Sequence, residues 1–301
     1  MIKDKISRQL RIITILRKVK GGMSKIELIE KVEKELKYFD EPFEYVEITF
    51  KRDLKDIRSN FNIEIIYDRK DNLYKLDSLK YDDLRLDLML NSFKVYTTLL
   101  GFDTFPEHII PENRKSNGLE HFGYISDAIF EKKYLEFDYF KFDTNLKVRK
   151  IVKPIALKES KNRWYLIGSY ENNEGIRAFG LDRISGICMI DQKFKKTPEI
   201  EFIHSYYKDS FAMFSEGDVE KVVLSFDKTD GNYINSYPIH PSQKIEFDQS
   251  TDRYFITLLI KVTSDFMMEL MSRAWSLEVL EPLSLRKKVA AIFYEAYQKN
   301  K

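Results

Sequence analysis

The sequence predicts an α+β multidomain protein in four parts. These are a helical module closed by a hairpin at residues 1–78, a helical connector at 79–133, a small all-β unit at 134–198 and a C-terminal α/β domain at 199–301. Three observations predict it. A chain of 301 residues exceeds what one hydrophobic core usually serves. Apolar residues recur at helical spacing up to about Lys133 and alternate from Tyr134 onward. Past the polar break at 193–197, strand-like and helix-like stretches follow one another.

Composition narrows the class. Hydrophobic residues make up 43% and aromatics 14%, enough for packed cores. The 50 basic and 48 acidic residues leave a net charge of +2, so any argument from charge must be local. The one cysteine, Cys188, excludes an internal disulfide and a cysteine-based zinc site, and its GICMI setting predicts a buried small hydrophobe. The opening residues hold no long apolar run and no stretch approaches membrane-spanning length, so a cytoplasmic protein is expected.

In the first module, Leu10 and Ile13, with Ile12, Ile15 and Leu16 less regularly placed, give residues 7–18 the inner face of a helix that stops at Gly21 and Gly22. Ser24 with Glu27 three residues on is a capping-box pattern. Ile26, Leu28, Ile29, Val32 and Leu36 supply the apolar face of a second helix ending near Lys37. Pro42 interrupts the aromatic loop that follows.

Residues 48–61 predict a third helix, with Thr49 as cap and Phe50, Leu54 and Ile57 as the core stripe. Lys51, Lys55 and Arg58 repeat that spacing one position on, with Arg52 beside them, while Asp53 and Asp56 dilute the charge. Two short extended runs around Arg69–Asn72 read as a hairpin carrying Lys70 at its tip. Helix, helix, basic helix and hairpin is the order of a winged helix-turn-helix, whose third helix enters the DNA major groove while the wing lies over the backbone. Residues 1–80 hold 19 Lys and Arg against 15 Asp and Glu, a net of +4. DNA affinity at that charge depends on dimerisation and salt.

The connector predicts a helix over 82–100 with Leu84, Leu88, Val95 and Leu99 on its apolar side, and a second over 119–133 through Phe122, Ile125, Ala128 and Ile129. His108 and His121 lack partners at metal-ligand spacing, and no metal or cofactor is expected.

In the β unit, Leu135, Phe137 and Tyr139 alternate with Glu136, Asp138 and Phe140. A basic strand follows, with Lys147, Arg149, Lys150 and Lys153 before Pro154. Residues 163–184, RWYLIGSYENNEGIRAFGLDRI, predict two strands around an ENNEG turn. A regular second strand would put Arg177, Phe179, Leu181 and Arg183 on one face, a pairing of guanidinium and aromatic groups suited to phosphates and bases. Straight strand would hold the two arginines about 20 Å apart. Either Gly180 marks a bend, or the ligand is extended. Tyr139 and Tyr165 are the aromatic candidates for stacking on a base.

In the last domain, a helix is predicted over 203–214 and a strand over 219–227, with further strands at 244–247, 254–262 and 277–280 and helices at 265–274 and 284–298. His240 is read as a packing or hydrogen-bonding residue.

Three of these regions carry a resemblance to the WYL-domain transcriptional regulators. Trp164, Tyr165 and Leu166 spell the family tripeptide, and Arg177–Ile184 resembles its R-x-F-x-L-D-R-I strand. Thr49, Arg52, Asp53 and Leu54 match the recognition-helix pattern S-x-R-T-x-x-R-D-L, although Val46 and Ile48 stand where the family has Ser and its first Arg. Ser242, Gln243, Pro282, Leu285 and Arg286 resemble steps in the family's C-terminal WCX-type extension.

The resemblance implies a Sm/SH3-like β-barrel for the WYL part and a C-terminal dimerisation domain. It implies a ligand-responsive DNA-binding regulator, read here as a homodimeric repressor, whose barrel senses a nucleic acid or nucleotide. Thr49, Lys51, Arg52, Lys55, Arg58 and Lys70 are then the DNA contacts, and Tyr139, Lys153, Tyr165, Arg177, Phe179 and Arg183 the ligand-binding set. The alternative is an RNA- or single-strand-binding accessory protein acting through the barrel. No enzyme is expected, since the sequence has no P-loop, G-x-G-x-x-G, G-x-S-x-G, H-E-x-x-H or C-x-x-C.

Overall fold

The computed structural model describes residues 2–19, 21–37, 45–77, 86–87, 89–93, 95, 108–110, 118–171, 173–195 and 200–301. The architecture is mixed α and β with several sheets, and the chain divides into two compact units, residues 1–112 and 113–301.

The first unit begins with α1 (Ile2–Lys18), α2 (Lys25–Lys37) and α3 (Glu47–Phe61), then the hairpin of β1 (Ile65–Asp68) and β2 (Leu73–Leu76). Leu10, Ile12, Ile13, Ile15 and Leu16 are all buried, as are Arg8, Gln9 and Arg11, so α1 is enclosed on most of its circumference. That explains why its apolar residues look irregular on a one-stripe pattern. The capping box forms as predicted: Glu27 N donates to Ser24 Oγ at 3.3 Å while Ser24 N donates to Glu27 Oε2 at 3.2 Å. Leu28 and Val32 are the buried residues of α2, whereas Ile26, predicted on the same face, is exposed. Two residues before Leu28, it points about 200° round the axis from that buried side chain, away from the core.

The start of α3 differs from expectation. Val46 is the cap position and Glu47 the first helical residue, so Thr49 lies inside the first turn instead of capping it. Phe50 and Ile57 are fully buried and Leu54 partly so. The helix ends where Asn62 adopts a left-handed conformation and its N–H returns to Arg58 O at 3.2 Å. The hairpin turns through Asn72, also left-handed, and Tyr74 bridges to Met23 ahead of α2. The predicted helix over 82–100 lies largely outside the described residues, including Leu84, Leu88 and Leu99; Leu86 and Leu90 join the core of this unit and Val95 is exposed.

The second unit contains two antiparallel sheets. The first has β3 (Lys133–Lys141), β4 (Leu146–Ser160), β5 (Arg163–Tyr170), β6 (Asn173–Gly180) and β7 (Ile184–Lys193) in the order β6-β5-β4-β3-β7. β4 pairs with β3 through Val152 and with β5 from Lys153 onward, so one strand carries both halves of the sheet. Leu135, Phe137 and Tyr139 are buried as their alternation predicts. Helix α4 (Phe122–Glu131) packs on this sheet through Ile125 and Ala128, after a 3-10 turn at Leu119–His121. Trp164, half-buried, meets Phe122 edge to face at 4.8 Å, and Leu166 is fully buried.

The extended run predicted through Ile184 does not form. β6 stops at Gly180, and Leu181–Arg183 make a 3-10 turn before β7 starts. Cys188 is half-buried, with its Sγ donating to Glu136 Oε2 at 3.6 Å, so it is less enclosed than its apolar neighbours predict.

The second sheet has β8 (Val219–Asp227), β9 (Lys244–Asp248), β10 (Arg253–Lys261) and β11 (Glu278–Glu281) in the order β11-β8-β10-β9. Its helices are α5 (Ile200–Tyr207), α6 (Lys228–Ser236), α7 (Ser264–Met271) and α8 (Leu283–Lys299). The helix predicted over 203–214 is α5, shorter and earlier. Helix α6 was not predicted; Asp227 caps it by accepting from Asp230 N at 2.9 Å. His240 is buried, with Nδ1 2.8 Å from Ser242 Oγ and Nε2 2.8 Å from Lys208 O, a structural role as expected. Arg286 donates to Val279 O and Leu280 O, both at 2.6 Å, which ties α8 to β11.

Candidate functional site

Two surfaces gather the side chains singled out in the sequence, one in each unit. The first is helix α3. Phe50, Asp53 and Ile57 are its buried residues. At 3.6 residues per turn, Ile48, Arg52, Lys55 and Ser59 lie about 140–200° round the axis from Phe50. All four are exposed, and they form one stripe on the side away from the core. Lys51 and Arg58 flank it on one side, exposed as well; Lys51 Nζ is 3.0 Å from Glu47 and Arg58 Nη1 is 3.7 Å from Glu64. Glu47 thereby holds the Lys51 ammonium in its charged form and is itself held below the usual carboxylate range, chiefly by Lys51 and then Lys25. Among the described residues, Arg52 and Lys55 have no ion-pair partner.

Asp53 does not dilute this charge, contrary to expectation. It is fully buried on the reverse face, where Arg8 Nε donates to Oδ2 at 2.8 Å and Arg8 Nη2 to Oδ1 at 3.3 Å. Tyr45 Oη donates to Oδ2 at 2.7 Å and Gln9 Nε2 to Oδ1 at 3.4 Å. A carboxylate this enclosed needs its lone pairs filled, and these donors fill them. The pull on Tyr45 is visible in its hydroxyl, whose pKa is raised by burial first and by Asp53 second. Thr49 sits half-buried on the far flank of α3 from Lys51. Lys70 is exposed at the hairpin tip, where its backbone N donates to Asp68 Oδ1 at 3.0 Å.

The second surface is the five-stranded sheet. Tyr139 and Phe179, predicted to meet a ligand, are core residues: their rings pack edge to face at 5.2 Å, Phe137 meets Phe179 at 5.5 Å, and Tyr139 Oη accepts from Gly180 N at 3.3 Å. Alternation puts them on the inner face, which leaves neither ring open to stack on a base. Burial accordingly raises the Tyr139 pKa.

Tyr165 lies on the other side of the sheet. It pairs with Gly180 whereas Arg177 pairs with Gly168, an odd offset that sends the two side chains to opposite faces. Tyr165 packs beside Ile155, Ile167 and Ile203 of α5. Arg183 is sandwiched, its guanidinium 4.4 Å from the Tyr139 ring and 4.2 Å from the Phe142 ring, with Nε donating to Phe140 O at 2.8 Å. Lys153 Nζ donates to Glu171 O at 3.1 Å. The predicted basic group does not converge as a whole, because Arg149 turns outward to Glu136 at 3.0 Å and Asp138 at 3.3 Å.

Arg177 shares the inner-face parity of Phe179 and is exposed. On that same parity lie Lys150, opposite Phe137, and Tyr170. Lys150 Nζ stands 5.1 Å from the centre of the Tyr170 ring. Tyr170 is not among the residues expected to meet a ligand, though its spacing of four from Leu166 gives the face. Gly168 lies between Tyr170 and Leu166 because a Cβ there would come within 2.4 Å of Val152 Cγ1 and 2.7 Å of Lys153 O. The described residues contain no cluster of three metal-binding side chains.

Comparison with known families places a match to the WYL domain over residues 120–189 and to the WCX domain over residues 218–297. No curated protein matches the chain by sequence. Among solved structures, the proteasome accessory factor B/C (PafBC) of Arthrobacter aurescens matches at 19% identity and a TM-score of 0.38, covering 95% of this chain and 46% of that one. A structure described as a CRISPR Cas-related protein matches at 9% identity and a TM-score of 0.39, covering 88% of this chain and 76% of that one. This chain thus spans about half the length of the first. Neither likeness is close enough to carry a role over.

Proposed function

For a chain that carries a WYL domain and a WCX domain, we propose the role of a ligand-responsive, DNA-binding transcriptional regulator. The observation that carries this reading is the outward stripe of α3. Arg52 and Lys55 project from the side opposite Phe50, and a clamped carboxylate, Asp53, is fully buried, so the helix is fixed while its cations face solvent. Three helices and a hairpin in this order act as a winged helix-turn-helix at residues 1–78, with α3 as the recognition helix and the β1–β2 hairpin as the wing. Lys51, Arg52, Lys55 and Arg58, with Thr49 on the flank and Lys70 at the wing tip, are the proposed DNA contacts.

Residues 79–133 then couple this module to a WYL barrel at 134–198, and the WCX part at 199–301 supplies a homodimer contact. The effector is a nucleotide or oligonucleotide held on the inner face of the sheet by Arg177 and Lys150, with Tyr170 as the ring that Lys150 covers. The expected outcome of effector binding is release from an operator, as in a cytoplasmic repressor. By linkage, an effector that weakens DNA binding must itself bind less well to the DNA complex.

The test is a salt series on duplex DNA from upstream of the protein's own gene, with unrelated duplex and short single strands as competitors. Tight binding to that duplex, with a steep fall in log K against log salt, supports the reading. Preference for single strands over every duplex would sink it in favour of an RNA- or single-strand-binding accessory protein. The Lys150–Tyr170 pair is what favours that second reading, since a cation and a ring on one face suit an unpaired base.

A further inference from the structure

We infer that Ile48 reads the 5-methyl groups of thymine in the major groove, and so makes part of the target sequence T-specific. The inference rests on the proposal that α3 is the recognition helix. Ile48 is 80% exposed and Val46 46% exposed. Neither contributes to the core of the first unit.

Local physics disfavours both residues where they stand. Val46 is the cap of α3 and makes no side-chain cap hydrogen bond, at a position where Ser, Thr, Asp or Asn would stabilise the helix. Ile48 is a β-branched residue on an open helix face, where an unbranched polar residue forms helix better and keeps water satisfied. Two positions at the helix start therefore break the local rule in the same direction, towards apolar surface, and Ile48 is the one on the open stripe. Such breaks belong to functional surfaces.

Their setting names the occupant. Ile48 heads the stripe that continues through Arg52, Lys55 and Ser59, and Lys51 flanks it. From Ile48 to Ser59 that stripe runs about 16 Å at 1.5 Å per residue. An apolar head on a cationic stripe suits a polyanion that exposes methyl groups between its phosphates. Duplex DNA does so through thymine, whose methyl is the apolar mark on the major-groove edge. Residues in the first turn of a recognition helix are also the ones that reach base edges. Where an arginine there would fork onto guanine, Ile48 makes contact with thymine instead.

The experiment starts by selecting duplexes from a random pool with the full-length chain. Each thymine of the enriched sequence is then replaced by uracil, which differs only in lacking the methyl. Wild-type protein is expected to lose about four-fold in affinity per contacted methyl, the equivalent of one buried methylene. Ile48→Ala, whose fold is checked by circular dichroism, is expected to bind with the same salt slope and to ignore the uracil at one of those positions. Equal binding of uracil and thymine duplexes by wild type overturns the inference and leaves the regulator reading intact, as does an Ile48→Ala protein that still senses the methyl. Failure to enrich any duplex overturns the regulator reading itself, and this inference with it.

Discussion

Asp53 on α3 and Arg8 on α1 form a buried ion pair, with Nε and Oδ2 2.8 Å apart and Asp53 fully enclosed. The pair fixes α3 to α1. Asp53→Ala removes the acceptor of Arg8, Gln9 and Tyr45 together and should cost about 3–5 kcal/mol. The measurement is the denaturation transition of the N-terminal unit, followed by duplex binding at a temperature where the variant remains folded. Unchanged stability would mean that the pair contributes nothing beyond its packing.

Tyr45 supplies the pH dependence of the same cluster. Its folded pKa is raised above the unfolded value, first by burial and then by Asp53. A raised folded pKa gives stability that is present below the unfolded value, about 10 for tyrosine, and lost as pH rises beyond it. The chain should therefore lose stability in alkali from about pH 10 upward. Tyr45→Phe should cost about 1.5–3 kcal/mol at neutral pH, the range for a hydrogen bond to a charged group, and flatten the alkaline loss. Stability against pH by urea unfolding checks both.

Lys55→Ala should weaken binding to every duplex alike and lower the salt slope by about 0.9, because a phosphate contact releases one counterion. Its exposure makes a folding defect unexpected. Isothermal binding at a series of salt concentrations measures the slope. A loss confined to one sequence would make Lys55 a base contact.

On the sheet, the two arginines should separate. Arg177 is exposed, so Arg177→Ala should abolish effector response with no change in melting temperature. Arg183 lies between Tyr139 and Phe142, so Arg183→Ala should destabilise the second unit by about 1–2 kcal/mol whether or not effector is present. Anisotropy of a labelled oligonucleotide and thermal unfolding distinguish the two. Effector binding untouched in Arg177→Ala removes this face from consideration.

Gly168→Ala tests the sheet geometry. The added methyl would fall 2.4 Å from Val152 Cγ1 and 2.7 Å from a backbone oxygen, and only the valine can give way. Overpacking of this kind costs about 1–3 kcal/mol or more. A variant as stable as wild type would show that β4 and β5 can part locally.

What was legible in the sequence was the part governed by short spacing. Alternation at Leu135, Phe137 and Tyr139 placed three buried side chains, and Ser24 with Glu27 placed a cap. Strand 219–227 coincides with β8. The WYL resemblance drawn from the Trp164 tripeptide and the strand after it agrees with the family matches.

What was not legible depended on distant partners. Nothing near Asp53 in the chain marks it as buried, because Arg8 and Gln9 are more than forty residues away. Periodicity ran straight through Gly180, where the chain turns, and so put Arg183 on a strand face that does not exist. The same period is blind to which face of a sheet is closed: Tyr139 and Phe179 carry chemistry suited to a base, and packing took them inside. Helix α6 escaped because Gly231 and its polar neighbours weaken the helical pattern, while the Asp227 cap that starts it was read as the end of a strand.

The division of α3 into two sides also bears on how such a chain diverges. Phe50, Asp53 and Ile57 answer to the fold, and a substitution at any of them is exposed to purifying selection for stability. Ile48, Arg52, Lys55 and Ser59 are exposed, so copies of the gene that drift at these positions keep a folded product. A duplicated copy can thus acquire a new target by a few substitutions on one side of one helix. A lineage of such proteins would vary most along that stripe, and least directly behind it.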